Sequence, residues 1–176
     1  MRIAPAISRL QELELGLGLR LSQAQRRRSA LHFFRAVSKA GDGLFWFALA
    51  GLLPLLAGAA ALPTVRRMAT VGIAAALVSK ALKMLTGRSR PFRAHTGVLL
   101  GAAPLDRYSF PSGHTLHAVA FSIVVLATYG LLAWILVPFT LAVALSRIVL
   151  GLHYPTDVAA GATVGALLAF VTLALG

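Results

Sequence analysis

The chain has 176 residues, 58% of them hydrophobic, with no cysteine and a net charge of +12 from 17 Lys and Arg against 5 Asp and Glu. That apolar share is too high for an ordinary soluble domain, and the missing thiols exclude disulfides, thiolate chemistry and a cysteine zinc site. The excess charge does not point to nucleic acid: the basic residues lie in a polar N-terminal stretch and beside apolar segments, a pattern suited to anionic lipid headgroups.

Residues 1–40 carry no clean apolar h-region of a signal peptide. Ile3, Ile7, Leu10, Leu13, Leu17, Leu21 and Ala24 recur at helical spacing, while Arg9, Glu12, Arg20, Gln23 and Arg27 fall mostly elsewhere. This predicts an amphipathic helix in the membrane interface. The alternative is a solvated helix that packs on its neighbours. A span is disfavoured, because Arg9, Glu12, Glu14 and Arg20 would enter hydrocarbon. Arg26-Arg27-Arg28 marks a segment facing headgroups. Gly41-Asp42-Gly43 breaks the chain, with Asp42 as an expected N-cap.

Residues 44–62 are uncharged and long enough to cross a bilayer, ending at Pro63 and Arg66-Arg67. Further spans are expected at 68–86, 113–129, 131–150 and 155–175, with Gly130 and Pro155 at boundaries. Residues 87–110 form a long polar loop. The fold class is therefore all-α: a polytopic transmembrane helical bundle of five spans plus an N-terminal amphipathic interfacial helix. One membrane-embedded domain fills 1–176, with 1–40 as the amphipathic helix and 44–175 as the core.

Three clusters carry the chemistry. Asp157, the lone acidic residue beyond 110, follows His153 by four positions and Arg147 by ten. Ionisable residues inside apolar spans are costly and mark candidate sites, although an Arg147–Asp157 structural ion pair would explain this cluster equally well. Pro111-Ser112-Gly113-His114 stands where the polar loop turns into a span. Ser112 is a natural cap and the free N–H groups of a helix start attract anions; taken alone, the segment also reads as a plain cap. Lys83 precedes Arg90-Pro91, supplying a point charge and a planar fork for phosphate oxygens, or merely a basic loop at the headgroups. Counting spans brings all three clusters to one membrane face. Together they suit a dianionic phosphate.

These residues read K-x6-R-P, P-S-G-H and S-R-x5-H-x3-D, as Lys83…Arg90-Pro91, Pro111-Ser112-Gly113-His114 and Ser146-Arg147…His153…Asp157. In this the sequence resembles the type-2 phosphatidic acid phosphatase superfamily, its membrane lipid phosphatase branch. All eleven signature positions match in order. The N-terminal third departs from the six-span pattern of membrane relatives. The resemblance implies that His153 attacks phosphorus to form a phosphohistidine, that Asp157 orients His153, and that His114 protonates the leaving oxygen and then activates water. Lys83, Arg90, Ser112, Gly113 and Arg147 would hold the phosphate. No metal and no cofactor is implied.

The expected enzyme is an integral membrane phosphatase acting on phosphatidic acid, phosphatidylglycerol phosphate or a polyprenyl phosphate or diphosphate. The alternatives are a vanadate-dependent haloperoxidase-like enzyme and a lipid-binding membrane protein without catalysis. Partners are the lipid phosphate substrate and membrane lipids; oligomeric state is not legible. Arg88 is expected at headgroups or in solvent, His117 in packing or the pocket lining, and Tyr108 and Phe110 as pocket walls. Trp46 and Trp134 read as ordinary membrane aromatics. Basic residues concentrate in the N-terminal stretch, which predicts a cell-membrane protein (a bacterial inner membrane is the expected location) with its site on the cytoplasmic face.

Overall fold

The structure, a computed structural model, describes residues 4–176. Arg2, Ile3 and the side chains of residues 4–8 and 10 lie outside that description, and with them part of the apolar spacing read from the N-terminal stretch. Among the described residues the regular structure is helical, apart from an isolated bridge between Ser89 and Tyr108. The helices are α1 (Ala4–Ser22), α2 (Arg28–Lys39), α3 (Phe45–Ala57), α4 (Leu62–Thr86), the single turn α5 (Pro91–Ala94), α6 (Gly113–Leu126), α7 (Ala133–Val149) and α8 (Pro155–Leu175).

The N-terminal stretch is two helices rather than one. A turn of 3-10 helix at Gln23–Arg26 separates α1 from α2. On α1, Leu13 and Leu17 point outward, 71% and 47% exposed, while Glu14 turns inward and is buried. The exposed side of α1 is mixed, with Arg9, Gln11, Glu12 and Arg20 beside Leu13 and Leu17, as suits a helix at a membrane interface. The Gln25 side chain donates to the Val149 and Leu99 carbonyls at 2.7 and 2.9 Å, and Arg35 donates to the carbonyl of Gly101. Ser38, near the other end of α2, accepts from Arg147. Helix α2 thus lies across the end of α7.

The helical path breaks at Gly41-Asp42-Gly43, as expected: Gly43, with φ 131°, leaves helical geometry and kinks the chain between α2 and α3. A left-handed φ is cheap only for glycine. Asp42 makes no cap bond at the start of α3; its carboxylate, on an exposed side chain, faces His114 instead.

Each of the five predicted spans contains a helix, with shifted ends. Pro63 opens α4 instead of closing the preceding span, because a proline fits the first helical turn, where its missing N–H is no loss. Arg66 and Arg67 therefore belong to α4. The runs Arg28–Thr86, Gly130–Val149 and Pro155–Leu175 are apolar and long enough to cross a membrane, and α6 is a shorter apolar helix. Leu55, Leu56, Ile73, Leu77, Trp134, Leu141, Leu167 and Phe170 stand exposed around the bundle, a surface suited to lipid.

Helix α6 is central, packed on α4, α7 and α8. Its buried Ala118, Ala120, Val124 and Val125 join Met68, Val71, Leu136, Val143 and Ala169 in the core. Trp46 is also core, stacked near Phe121 and Phe139, whereas Trp134 faces outward. Helices α6 and α8 approach at two glycines: a Cβ on Gly161 would stand 2.6 Å from the Ser112 carbonyl oxygen, and one on Gly165 would strike that of Leu116. Small residues permit such backbone approach. The result is a link between two motifs, in which the Ser112 N–H donates to the Asp157 carbonyl at 2.9 Å.

Candidate active site

The kink after α2, helices α3, α4 and α6, the end of α7, the loop residues Leu105, Asp106 and Tyr108, and His153 line an open-sided cavity of ≈ 990 Å³. Its apolar lining includes Trp46, Phe47, Val65, Met68, Ile73 and Phe121, with Phe47 and Ile73 at the exposed rim; its polar lining includes Lys83, Arg90, Gly113, His114, Arg147 and His153. Six of the eight predicted site residues therefore line one space.

Local structure explains how they meet. Helix α4 stops at Gly87, in left-handed conformation with φ 58°, whose N–H returns to the Lys83 carbonyl at 3.0 Å. That places Lys83 in the last turn and sends Arg90 back across the bundle. Gly151, with φ 71°, lets α7 close, so that the N–H groups of Leu152 and His153 donate to the Arg147 carbonyl at 3.0 and 3.1 Å. Pro155 opens α8, and Asp157 reaches back to accept the Tyr154 N–H at 2.8 Å.

His153 is 2% exposed. Nη1 of Arg90 donates to its Nε2 at 3.1 Å, so Nε2 carries the lone pair and Nδ1 the proton. Nδ1 faces Oδ2 of Asp157 at 3.6 Å, longer than a hydrogen bond, and has no other partner. Burial pushes the His153 pKa down to about 4; Asp157 pulls the other way, and Arg147 and Arg90 add to the fall. Burial thus favours the neutral imidazole, whose lone pair is held by Arg90.

His114, in the first turn of α6, turns Nε2 toward Oδ1 of Asp42 at 3.3 Å. His117 also lines the cavity, with Nδ1 held 2.8 Å from the Gly113 carbonyl. Ser112 is fully buried with its hydroxyl 3.0 Å from that of Thr115. It lies behind the cavity wall, and so does Asp157.

The cations are unequally partnered. Arg90 is 1% exposed; Nη1 donates to the Leu152 carbonyl at 2.9 Å, Nη2 to Oδ1 of Asp106 at 2.7 Å and Nε to the Asp106 carbonyl at 3.0 Å. Lys83 pairs with the other oxygen of Asp106. Burial alone would raise the Asp106 carboxyl, but Lys83 and Arg90 outweigh it and hold it below the usual range. Arg147 is 3% exposed and donates to the Ser38 hydroxyl, while its Nε has no partner among the described residues. Among the described residues Arg147 has no carboxylate within ion-pair distance, so the Arg147–Asp157 pair does not form. Arg88 takes that place, with Nη1 2.7 Å from Oδ1 of Asp157. Tyr108 lines the cavity and Phe110 does not.

Sequence reasoning missed Glu14, Ser38, Asp42 and Asp106. One signal was available: the chain has five acidic residues against 17 basic ones, and four of the five face a cation or histidine of this region. Among the described residues no group of three or more His, Asp or Glu could hold a metal ion.

A neutral buried histidine beside a carboxylate, under-partnered cations and an apolar cavity define a site for an anionic group on an apolar tail. Residues 64–176 match the family profile of the PAP2 superfamily, and the chain belongs to that superfamily. It is 38% identical over 130 residues to the decaprenylphosphoryl-5-phosphoribose phosphatase of Mycobacterium tuberculosis (strain CDC 1551 / Oshkosh), covering 71% of each chain. It is 38% identical over 100 residues to the undecaprenyl-diphosphatase BcrC of Bacillus subtilis (strain 168), covering 57% of this chain and 51% of that one. The crystal structure of Aquifex aeolicus LpxE superposes with a TM-score of 0.80 at 26% identity, covering 92% of this chain and 95% of the other. A transmembrane PAP2-type phosphatidylglycerolphosphate phosphatase from Bacillus subtilis shares the fold, with a TM-score of 0.75 at 20% identity over 94% of this chain and 85% of that one.

Proposed function

We propose that this member of the PAP2 superfamily, a membrane lipid phosphatase, hydrolyses a polyprenyl-type lipid phosphate or diphosphate through a phosphohistidine on His153. The observation that carries the reading is Arg147: a buried guanidinium whose Nε is unpartnered among the described residues and which lines the same cavity as His153. An uncompensated buried charge is expensive, and a phosphate dianion between the two would compensate it. The apolar wall behind the cations suits an isoprenoid or acyl tail. The relatives named for decaprenyl- and undecaprenyl-linked substrates favour the isoprenoid over phosphatidic acid or phosphatidylglycerol phosphate.

The phosphate displaces Asp106 from Lys83 and Arg90, and Arg147 takes further oxygens together with the free N–H groups at the start of α6, Gly113 among them. The Ser112 hydroxyl reaches it by leaving Thr115. Release of Arg90 from Nε2 frees the lone pair of His153, which attacks phosphorus as the bond to the leaving oxygen breaks. Asp157 stabilises the imidazolium that forms. His114 gives its proton to the leaving oxygen, then takes one from the water that cleaves the phosphorus–nitrogen bond and regenerates both histidines. The cations stabilise the transferring phosphoryl group without a metal.

The site opens to the cytoplasmic side of a bacterial inner membrane, in a five-span topology with the N-terminal helices on that side. The excess of basic residues in 1–40 and the position of α2 across the catalytic end of α7 support this.

Phosphate release in detergent from phosphatidic acid, phosphatidylglycerol phosphate and farnesyl diphosphate, with and without chelator, tests the reading. Expected are fastest release from the diphosphate, full activity in chelator and inhibition by vanadate. Activity lost in chelator and restored by one divalent ion would overturn the metal-free mechanism; preference for a diacyl substrate would overturn the lipid class.

A further inference from the structure

Asp157 needs both of its oxygens fixed if one is to serve His153. Oδ2 accepts the Tyr154 N–H at 2.8 Å and faces Nδ1 of His153. Oδ1 accepts from Nη1 of Arg88 at 2.7 Å, and the same nitrogen donates to the Thr156 hydroxyl at 2.8 Å. The guanidinium lies 4.1 Å over the Tyr154 ring. Its Nη2 pairs with Oε1 of Glu14, whose Oε2 accepts from Thr156. Glu14 sits in α1, 6% exposed, and neither it nor Arg88 lines the catalytic cavity.

We propose that Glu14 and Arg88 are positioning residues for the catalytic pair, which makes α1 part of the catalytic apparatus. The proposal rests on the reading of Asp157 as the partner of His153. Two physical effects support it. Arg88 fixes Oδ1 and so sets the plane of the carboxylate, aiming Oδ2 at the imidazole. Alone, however, a guanidinium at 2.7 Å would draw the carboxylate's charge to itself and weaken its hold on an imidazolium. Glu14 returns that charge: between two carboxylates Arg88 is shared, and the trio keeps a net negative charge at Asp157. A buried charge that merely anchored α1 would not need to contact the group that contacts Asp157; an apolar residue would pack α1 at lower cost.

The test uses the full chain in detergent and whichever of the three lipid phosphates above the unaltered enzyme turns over fastest. Rates are normalised to vanadate-binding sites, so that unfolded protein is not counted. Glu14→Gln keeps the shape and removes the charge. It is expected to lower kcat about tenfold with KM within about twofold, in line with couplings among groups in one network. In an Asp157→Asn background the same change should have no further effect, because its route to the reaction runs through that carboxylate. Glu14→Gln at full kcat, or effects of Glu14→Gln and Asp157→Asn that multiply, would overturn the proposal while leaving the catalytic reading of Asp157 intact. If Asp157→Asn itself kept full kcat, the catalytic reading would fall, and this proposal with it. A rise in KM at constant kcat in Glu14→Gln would make Glu14 a substrate contact instead.

Discussion

At the scale of single residues, the proposed site gathers buried and half-buried charges around His153. His153 is neutral because burial pushes its pKa down to about 4, against the pull of Asp157. Only the neutral ring can attack, so activity is lost as pH falls through about 4, well below the ordinary imidazole value. A profile of kcat/KM against pH reports groups of the free enzyme; an acid limb centred near pH 6.5 would show that the nucleophile is not this buried ring. Asp106 makes the opposite kind of prediction. Its carboxylate occupies Lys83 and Arg90, so an incoming phosphate competes with it. Asp106→Asn should tighten vanadate inhibition about tenfold, equivalent to ~1.4 kcal/mol. Weaker inhibition in this variant would mean that Asp106 aims the two cations rather than blocking them. The signature residues were legible because their spacing is rigid. Asp42, Asp106 and Glu14 were not, because each acts across the fold at a separation that no local pattern encodes.

At the scale of elements, the close contact of α6 and α8 carries the site. It draws Ser112 under the start of α8, where its N–H meets the Asp157 carbonyl. Gly165→Leu would force a side chain against the Leu116 backbone oxygen, which cannot yield as a flexible side chain would. The expected cost is about 1–3 kcal/mol, typical of overpacking, with activity falling alongside the thermal midpoint in detergent. Gly51→Ala is the comparison: nothing lies within 4 Å of a Cβ there, and a helix-interior glycine replaced by alanine should be neutral or gain about 0.5–1 kcal/mol. Equal behaviour of the two variants would contradict the packing account. The apolar helices themselves were readable from hydropathy. Their ends were legible only in part: Gly43 does kink the chain between α2 and α3, but Pro63 opens α4, because proline suits a first turn as readily as it stops a helix. The N-terminal stretch read as amphipathic, and α1 does carry Leu13 and Leu17 outward. In sequence, Glu14 is legible only as a charge that disfavours a span, not as a partner for Arg88.

At the scale of the whole molecule, the proposed orientation rests on charge and on the contacts of α1 with α7 and α8 and of α2 with α7. A membrane-impermeant thiol reagent on intact cells should miss a cysteine placed at Ala94 and label one at Gly176, both readable against a background without native cysteine. Labelling at 94 and not at 176 would invert the topology while leaving the chemistry untouched. The central claim is covalent: the phosphoryl group passes through His153. The most direct measurement is a rapid alkaline quench of the working enzyme with lipid substrate carrying labelled phosphate, followed by peptide mapping. The account predicts an acid-labile label on His153 that forms and decays at least as fast as turnover, and that is absent, together with activity, in His153→Ala. Turnover with no label on His153, or retained activity in His153→Ala, would contradict it.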